Sequence, residues 1–192
     1  MTVQKQLNMP IQKITKQEIV RTALSLFHQQ GYYITTMNDL AAACGLKKGS
    51  FYHYFPSKEA IAEAVVESLR EYYKRKIFIQ LQDSTIPLRE RMYNICELQR
   101  AALSYTRGGC FFGNLVLETA HSNPPFKDNL KAFFQDWQQC LTVFFAEKYP
   151  ENQAQILANR AIMLVEGAAM MARLYQDDAY LDTAFEQLQT YC

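Results

Sequence analysis

The chain has 192 residues, 20 Lys plus Arg against 19 Asp plus Glu, and a formal net charge of +1. That length suits one large domain, or a medium one with a small one attached, and a chain of this size buries about 70% of its unfolded surface. With 49% apolar and 20% charged residues, it falls outside the intrinsically disordered class. As a chain-wide average, the near-zero charge speaks against a nucleic-acid partner.

Residues 1–16 contain no apolar run of signal-peptide length, so secretion is not expected. The longest apolar stretch, 161–172, is interrupted by Glu166 and is too short to span a bilayer. The five cysteines (Cys44, Cys96, Cys110, Cys140, Cys192) are scattered without CxxC spacing, so neither a zinc ribbon nor a disulfide framework is encoded. The expectation is a cytoplasmic protein with reduced thiols, no membrane partner and no cofactor.

In chain order, Thr15 and Glu18 have capping-box spacing, and Ile19, Ala23, Leu26 and Phe27 share a helical face that Gly31 ends. Thr36 and Asp39 repeat the spacing and open a short helix with Met37, Leu40 and Ala41. Cys44-Gly45-Leu46 reads as a tight turn into a segment over 48–55, which Pro56 breaks. Ser57 is placed to cap a helix running to about Leu81. Pro87 opens another, striped by Leu88, Met92, Ile95, Gln99 and Ala102, which Gly108-Gly109 ends. A short apolar helix over 110–121 follows, then a break at Asn123-Pro124-Pro125. Phe126, Leu130, Phe133, Trp137, Leu141 and Phe144 step by three or four, an amphipathic pattern. Pro150 separates this from helices over 153–175 and 177–189. No two-residue alternation is sustained, so the expected fold is all-α with about nine helices.

Charge is not evenly spread. Residues 1–60 carry seven basic and three acidic side chains, a net of +4, and residues 61–192 carry thirteen and sixteen, a net of −3. A basic head on a mildly acidic body is the pattern an electrostatic footprint for phosphate leaves. The head is expected over 1–58, ordered from about residue 12, and the body over 59–192. Three short helices in the head, the last two joined by a glycine turn, make a helix-turn-helix, whose second helix enters the major groove. In Lys47-Lys48-Gly49-Ser50-Phe51-Tyr52-His53-Tyr54-Phe55, Phe51 and Phe55 can pack inward. Lys48, Ser50, Tyr52, His53 and Tyr54 are then left near the exposed side, and Gly49 permits close approach of backbone to DNA. Lysines neutralise phosphates, Tyr and His bond phosphate oxygens, and Ser reaches base edges.

With FHQQG at 27–31, TTMNDLA at 35–41 and KGSFYHYFPSKEA at 48–60, the stretch over 14–64 resembles the TetR family of bacterial one-component regulators. The resemblance implies a homodimeric DNA-binding repressor with a helical, ligand-binding C-terminal domain and a palindromic double-stranded operator. By that analogy Thr36, Lys48, Ser50, Tyr52 and His53 touch DNA and Lys58 grips a phosphate. Lys47, where the family often has a small or hydroxyl residue, adds a phosphate contact or alters base preference.

In the body, Gly109-Cys110-Phe111-Phe112-Gly113-Asn114 resembles a Gly-Cys-x-x-Gly-Asn stretch in one branch of that family, beside its ligand cavity. A cysteine at a helix N-terminus is favoured as thiolate, which makes Cys110 either an electrophile sensor or a small residue in a crowded turn. Polar or aromatic residues on apolar faces are pocket candidates: Tyr93, Glu97, Arg100, Phe112, Asn114, Glu118, Trp137 and Glu166. An aromatic lining suits an apolar or aromatic small-molecule effector, whereas the three glutamates suit a cationic one. The last two helices, over 153–175 and 177–189, are the expected dimer element, the first through Ile156, Ala161, Leu164, Gly167, Ala168, Met171 and Tyr175, with small residues permitting close approach.

Other classes carry less. There is no phosphate-cradling loop, HExxH or GxSxG, and Glu118 and His121 form half of a di-iron pair whose second half is missing, so no enzyme is expected. A helical adaptor that binds proteins instead of DNA is the alternative.

Overall fold

Reciprocal side-chain caps fix where the first helices begin. The Thr15 hydroxyl accepts the Glu18 N–H at 3.2 Å while the Glu18 carboxylate accepts the Thr15 N–H at 2.7 Å, which opens α1 (Lys16–Gln30). Thr36 and Asp39 make the same exchange at 3.2 and 2.9 Å for α2 (Met37–Ala43). Each exchange satisfies amides that the first helical turn leaves orphaned. Gly31 and Gly45 stop these helices with φ of 91° and 65°, a region where an L side chain is strained. α3 (Lys48–Tyr52) is shorter than the 48–55 segment expected, because the chain turns at His53 before Pro56. The computed structural model describes residues 14–106 and 108–192; the head's first thirteen residues lie outside the described part.

Ser57 accepts the Ala60 N–H at 3.2 Å and begins α4. This helix runs as Lys58–Tyr73, continues through a π-helical segment, Lys74–Phe78, and ends with Ile79–Leu81. The wider π turn brings residues five apart onto one side. Tyr73 and Phe78 therefore lie with ring centroids 5.9 Å apart, both against Phe133. The body continues as α5 (Leu88–Thr106), α6 (Phe111–Thr119), α7 (Lys127–Ala146), α8 (Glu151–Tyr175) and α9 (Ala179–Gln189). The described residues thus form nine helices and no strand, and none of these helices is long and apolar enough to cross a membrane.

The long helices α7 and α8 pack along each other, with α9 against α8 and α5. Phe112 stacks on Phe133 at 3.5 Å with rings 9° from parallel, and Trp137 lies 6.0 Å from Phe133. Phe112 and Trp137 are therefore core, not pocket lining: the centre of the body is filled with rings where a cavity was expected. The dimer expectation also changes. Ala161 and Ala168 are 1% and 9% exposed, since their small side chains let α8 pack close inside its own subunit. Leu164 and Met171 are half-buried, and of the expected set Ile156 and Tyr175 are exposed. The outward stripe runs from Ile156 through Met163 and Met170 to Leu174, at steps of seven and four.

Arg91 pins three elements together. It is 2% exposed, donates to the Leu81 carbonyl at the end of α4, and grips Glu147 with both guanidinium ends at 2.9 and 2.5 Å. Its guanidinium carbon lies 5.2 Å from the Phe144 ring centroid, and the pairing holds the Glu147 carboxyl below its ordinary range. Removing the anion would leave a buried charge without its partner. We therefore expect Glu147→Ala to cost about 3 kcal/mol, read as a lowered urea midpoint at unchanged slope.

Candidate nucleic-acid interface

The head sorts its side chains by face. Phe51 and Phe55 are buried, while Lys47, Lys48, Ser50, Tyr52 and His53 are all exposed on and beside α3; Tyr54 is half-buried against the core. The exposed set presents two cations, two hydroxyls and an imidazole on one short helix, the donor chemistry that phosphate oxygens and base edges accept. A Cβ built on Gly49 would meet nothing within 4 Å. Packing within the protein therefore does not require glycine at this position, so the requirement, where there is one, comes from outside. Thr36 sits at the start of α2 with its hydroxyl engaged by Asp39, donating at 2.7 Å, and these bonds hold the Asp39 carboxyl below its usual range.

Lys58 is placed differently from the other nominated cations. Its ammonium donates to the carbonyls of Tyr32 at 2.8 Å and Tyr33 at 3.2 Å and lies 4.4 Å from the Tyr32 ring centroid. Burial lowers its pKa, opposed by the charges of Glu59 and Glu118. Lys58 thus tethers the loop between α1 and α2, with two of its three donors already used. That loop meets the body on its other side. The Tyr33 N–H donates to Glu118 at 3.0 Å and the Tyr33 hydroxyl to Ser122 at 3.2 Å. The buried Thr35 hydroxyl bonds the Gly31 carbonyl at 2.7 Å, so the loop is closed on itself as well.

A second junction lies at the start of α6. His28 Nε2 lies 2.9 Å from the Gly109 carbonyl. A Cβ on Gly108 would come within 2.6 Å of the same nitrogen, so glycine there permits the approach. Burial pulls the His28 pKa down. The Gly-Cys-x-x-Gly-Asn stretch has a local rationale at each position. Gly109 has φ of 73°, Cys110 is the N-cap with Sγ 3.4 Å from the Gly113 nitrogen, and Asn114 closes the turn on the Gly108 carbonyl at 2.6 Å. A Cβ on Gly113 would collide with the Glu166 carboxylate. Of the two readings of Cys110, a small residue in a crowded turn is the one the surroundings favour: burial, and then the neighbouring Glu166, push the thiol well above its ordinary pKa, against the helix amides. Burial raises the Glu166 carboxyl as well.

The nominated pocket residues do not converge. Tyr93 and Glu97 point outward, Arg100 pairs with Asp182 at 2.6 Å, and Glu118 belongs to the loop junction. Glu166 stays beside Cys110, with Oε1 lacking a hydrogen-bond partner among the described residues. No described group of His, Cys, Asp and Glu side chains could hold a metal ion. Sequence reasoning missed His28, Tyr33 and Ser122, whose roles exist only where head meets body; the paired glycines at 108 and 109 were the available signal.

Fold and site define a two-part helix-turn-helix DNA-binding protein. A family model described as bacterial regulatory proteins, tetR family, matches residues 19–65, and one for the LmrA/YxaF-like transcriptional regulator C-terminal domain matches 94–187. Together they cover well over half of the chain, which belongs to the TetR family of transcriptional regulators. The HTH-type transcriptional repressor DhaR of Mycobacterium sp. (strain GP1) is 26% identical over 90% of this chain and 91% of its own. The regulator YxaF of Bacillus subtilis is 28% identical over 91% and 93%. A TetR regulator from Legionella pneumophila has the same fold at a TM-score of 0.85 and 23% identity, covering 95% of this chain and 98% of that one.

Two substitutions separate the outward lysine on α3 from the tethering one. Lys48→Met should lower the slope of log affinity against log salt by about one while leaving stability unchanged. Lys58→Met should cost about 2 kcal/mol, as charged donors to carbonyls do, and leave that slope at the wild-type value. Gly49→Ala should raise stability by up to about 1 kcal/mol yet weaken DNA binding at least tenfold, measured by fluorescence anisotropy on the same preparation.

Proposed function

We propose that the chain is an effector-responsive repressor that binds a twofold-symmetric operator as a homodimer, with a head ending at the start of α4. The observation that carries DNA binding is the row of exposed Lys47, Lys48, Ser50, Tyr52 and His53 over buried Phe51 and Phe55, with open space at Gly49. Repression is supported by the relatives named as repressors or negative regulators, DhaR and the Staphylococcus aureus biofilm regulator IcaR. The Gly-Cys-x-x-Gly-Asn branch motif supports an effector acting near α6, because that turn touches α1 through His28.

Dimerisation is supported by the stripe of Ile156, Met163, Met170 and Leu174, each at least half exposed in the single chain. An apolar face of this length along the longest helix marks an interaction surface. Small Gly167 lies within it, and a Cβ there would meet nothing within 4 Å. Two copies paired along α8 present two α3 helices to one face of a duplex. Half-sites should then sit about one helical turn apart, roughly 34–36 Å. An effector releases such a dimer only by preferring the conformation that fits DNA less well.

The test is selection of an operator from random duplex DNA, followed by binding across a salt series. A palindromic consensus and a steep salt slope are expected, and salt-independent or absent binding would sink the reading in favour of a protein adaptor. Met163→Glu with Met170→Glu should give a monomer by analytical ultracentrifugation and lose at least a hundredfold in operator affinity.

A further inference from the structure

Between head and body lies a cleft of about 530 Å³, within the range of small-molecule sites. One wall is the face of α1 that carries Arg21, Leu24 and Ser25; the other is Leu69 and Tyr72 of α4, with Phe111 closing one end. Of the residues nominated from sequence as pocket lining, only Cys110 borders it. The face of α1 buried in the head carries Ile19, Ala23 and Phe27, so Arg21 and Ser25 of this wall lie off that face, while Leu24 is partly packed against the core.

The chemistry of the lining is uneven. Leucines and aromatic rings supply the walls, and among the described lining residues Arg21, at the exposed lip, is the one with a permanent charge. No carboxylate lies within ion-pair distance of Arg21 among the described residues. The nearby acid, Glu18, is held by the Thr15 amide and hydroxyl at 2.7 and 2.8 Å. Glu166 lies behind Cys110 and does not line the cleft. A guanidinium presents paired donors that suit a carboxylate or sulfonate.

We propose that this cleft binds an organic acid with an apolar or aromatic body, its anionic group on Arg21 and its body between Leu24, Leu69 and the rings of Tyr72 and Phe111. The proposal rests on the reading of the chain as an effector-responsive regulator. Such a ligand touches α1, α4 and the start of α6 at once, so it acts as a wedge on the spacing that the His28–Gly109 contact sets. It controls DNA binding by displacing α1 without passing through the ring-filled centre of the body.

The probe is 1-anilinonaphthalene-8-sulfonate, an aromatic anion, compared with N-phenyl-1-naphthylamine, the same rings without the sulfonate. Fluorescence titration of the full chain should show one saturable site. Arg21→Gln should weaken the anion about tenfold and leave the neutral amine within twofold. Ser25→Trp and Leu69→Trp fill the cleft from opposite walls and should each abolish binding of both probes; with two blockers the test survives if one variant fails to fold by thermal melting. Ala120→Trp, which fills the separate apolar groove between α6 and α7, should change neither. Binding that ignores Arg21→Gln and both blockers, or that is lost in Ala120→Trp, overturns the proposal. The anion should also weaken binding to the selected operator severalfold in the wild type and have no effect in Ser25→Trp; an equal effect in both would overturn the wedge. A chain that binds no duplex DNA with or without the probe overturns the regulator reading and the wedge with it, while the Arg21 comparison still reports whether the cleft takes the acid.

Discussion

The ammonium of Lys58 sits between the carbonyls of Tyr32 and Tyr33 and against the Tyr32 ring, and the arrangement of the head depends on it. The loop it holds joins α1 to α2, and the same loop receives Glu118 from α6 on the Tyr33 amide. One short segment is therefore bonded to the first turn of α4 on one side and to the body on the other. Charged donors on backbone carbonyls are among the stronger hydrogen bonds in proteins, and here they are sheltered by two tyrosine rings. Because α2 and α3 follow directly from that loop, the direction in which α3 faces is set by a tether outside the helix-turn-helix itself.

The two parts of the molecule use their side chains in opposite ways. On α3 the polar groups point outward, and the rigid element beneath them is a pair of phenylalanines. In the body, Phe112, Phe133, Tyr73, Phe78 and Trp137 pack ring against ring, and Arg91 ties the ends of α4, α5 and α7 together. Aromatic packing of this density leaves little central volume. The larger openings lie at seams, between α1 and α4 and between α6 and α7. A ligand at a seam acts on the relative position of packed elements, and packed elements respond by shifting as units.

Much of this was readable from residues alone, for identifiable reasons. Capping boxes, stop glycines and the prolines at 56 and 87 are local signals whose partners lie within four residues, so the starts of α1 to α5 came out where expected, while α8 begins at Glu151 and α9 at Ala179, each two residues from the expected start. The sorting of Phe51 and Phe55 from Lys48, Ser50, Tyr52 and His53 follows from helical periodicity over one short turn. The π-helical segment in α4 had no such signal, since it is driven by Tyr73 and Phe78 both reaching Phe133. Cys110 stayed ambiguous because a helix N-terminus favours thiolate only where burial does not outweigh its amides, and the burial of Cys110, with Glu166 beside it, comes from elements distant along the chain.

The sequence by itself determined the helical class, the placement of caps and turns, the basic head and the outward row on α3, because each depends on spacing along the chain. Only the tertiary structure decided that Lys58 tethers a loop, that Ala161 and Ala168 serve the subunit's own core, and that the body's centre is filled while the head–body seam is open. Those outcomes depend on which helix faces come together and how closely, and spacing along one helix does not specify the face that a distant helix will cover.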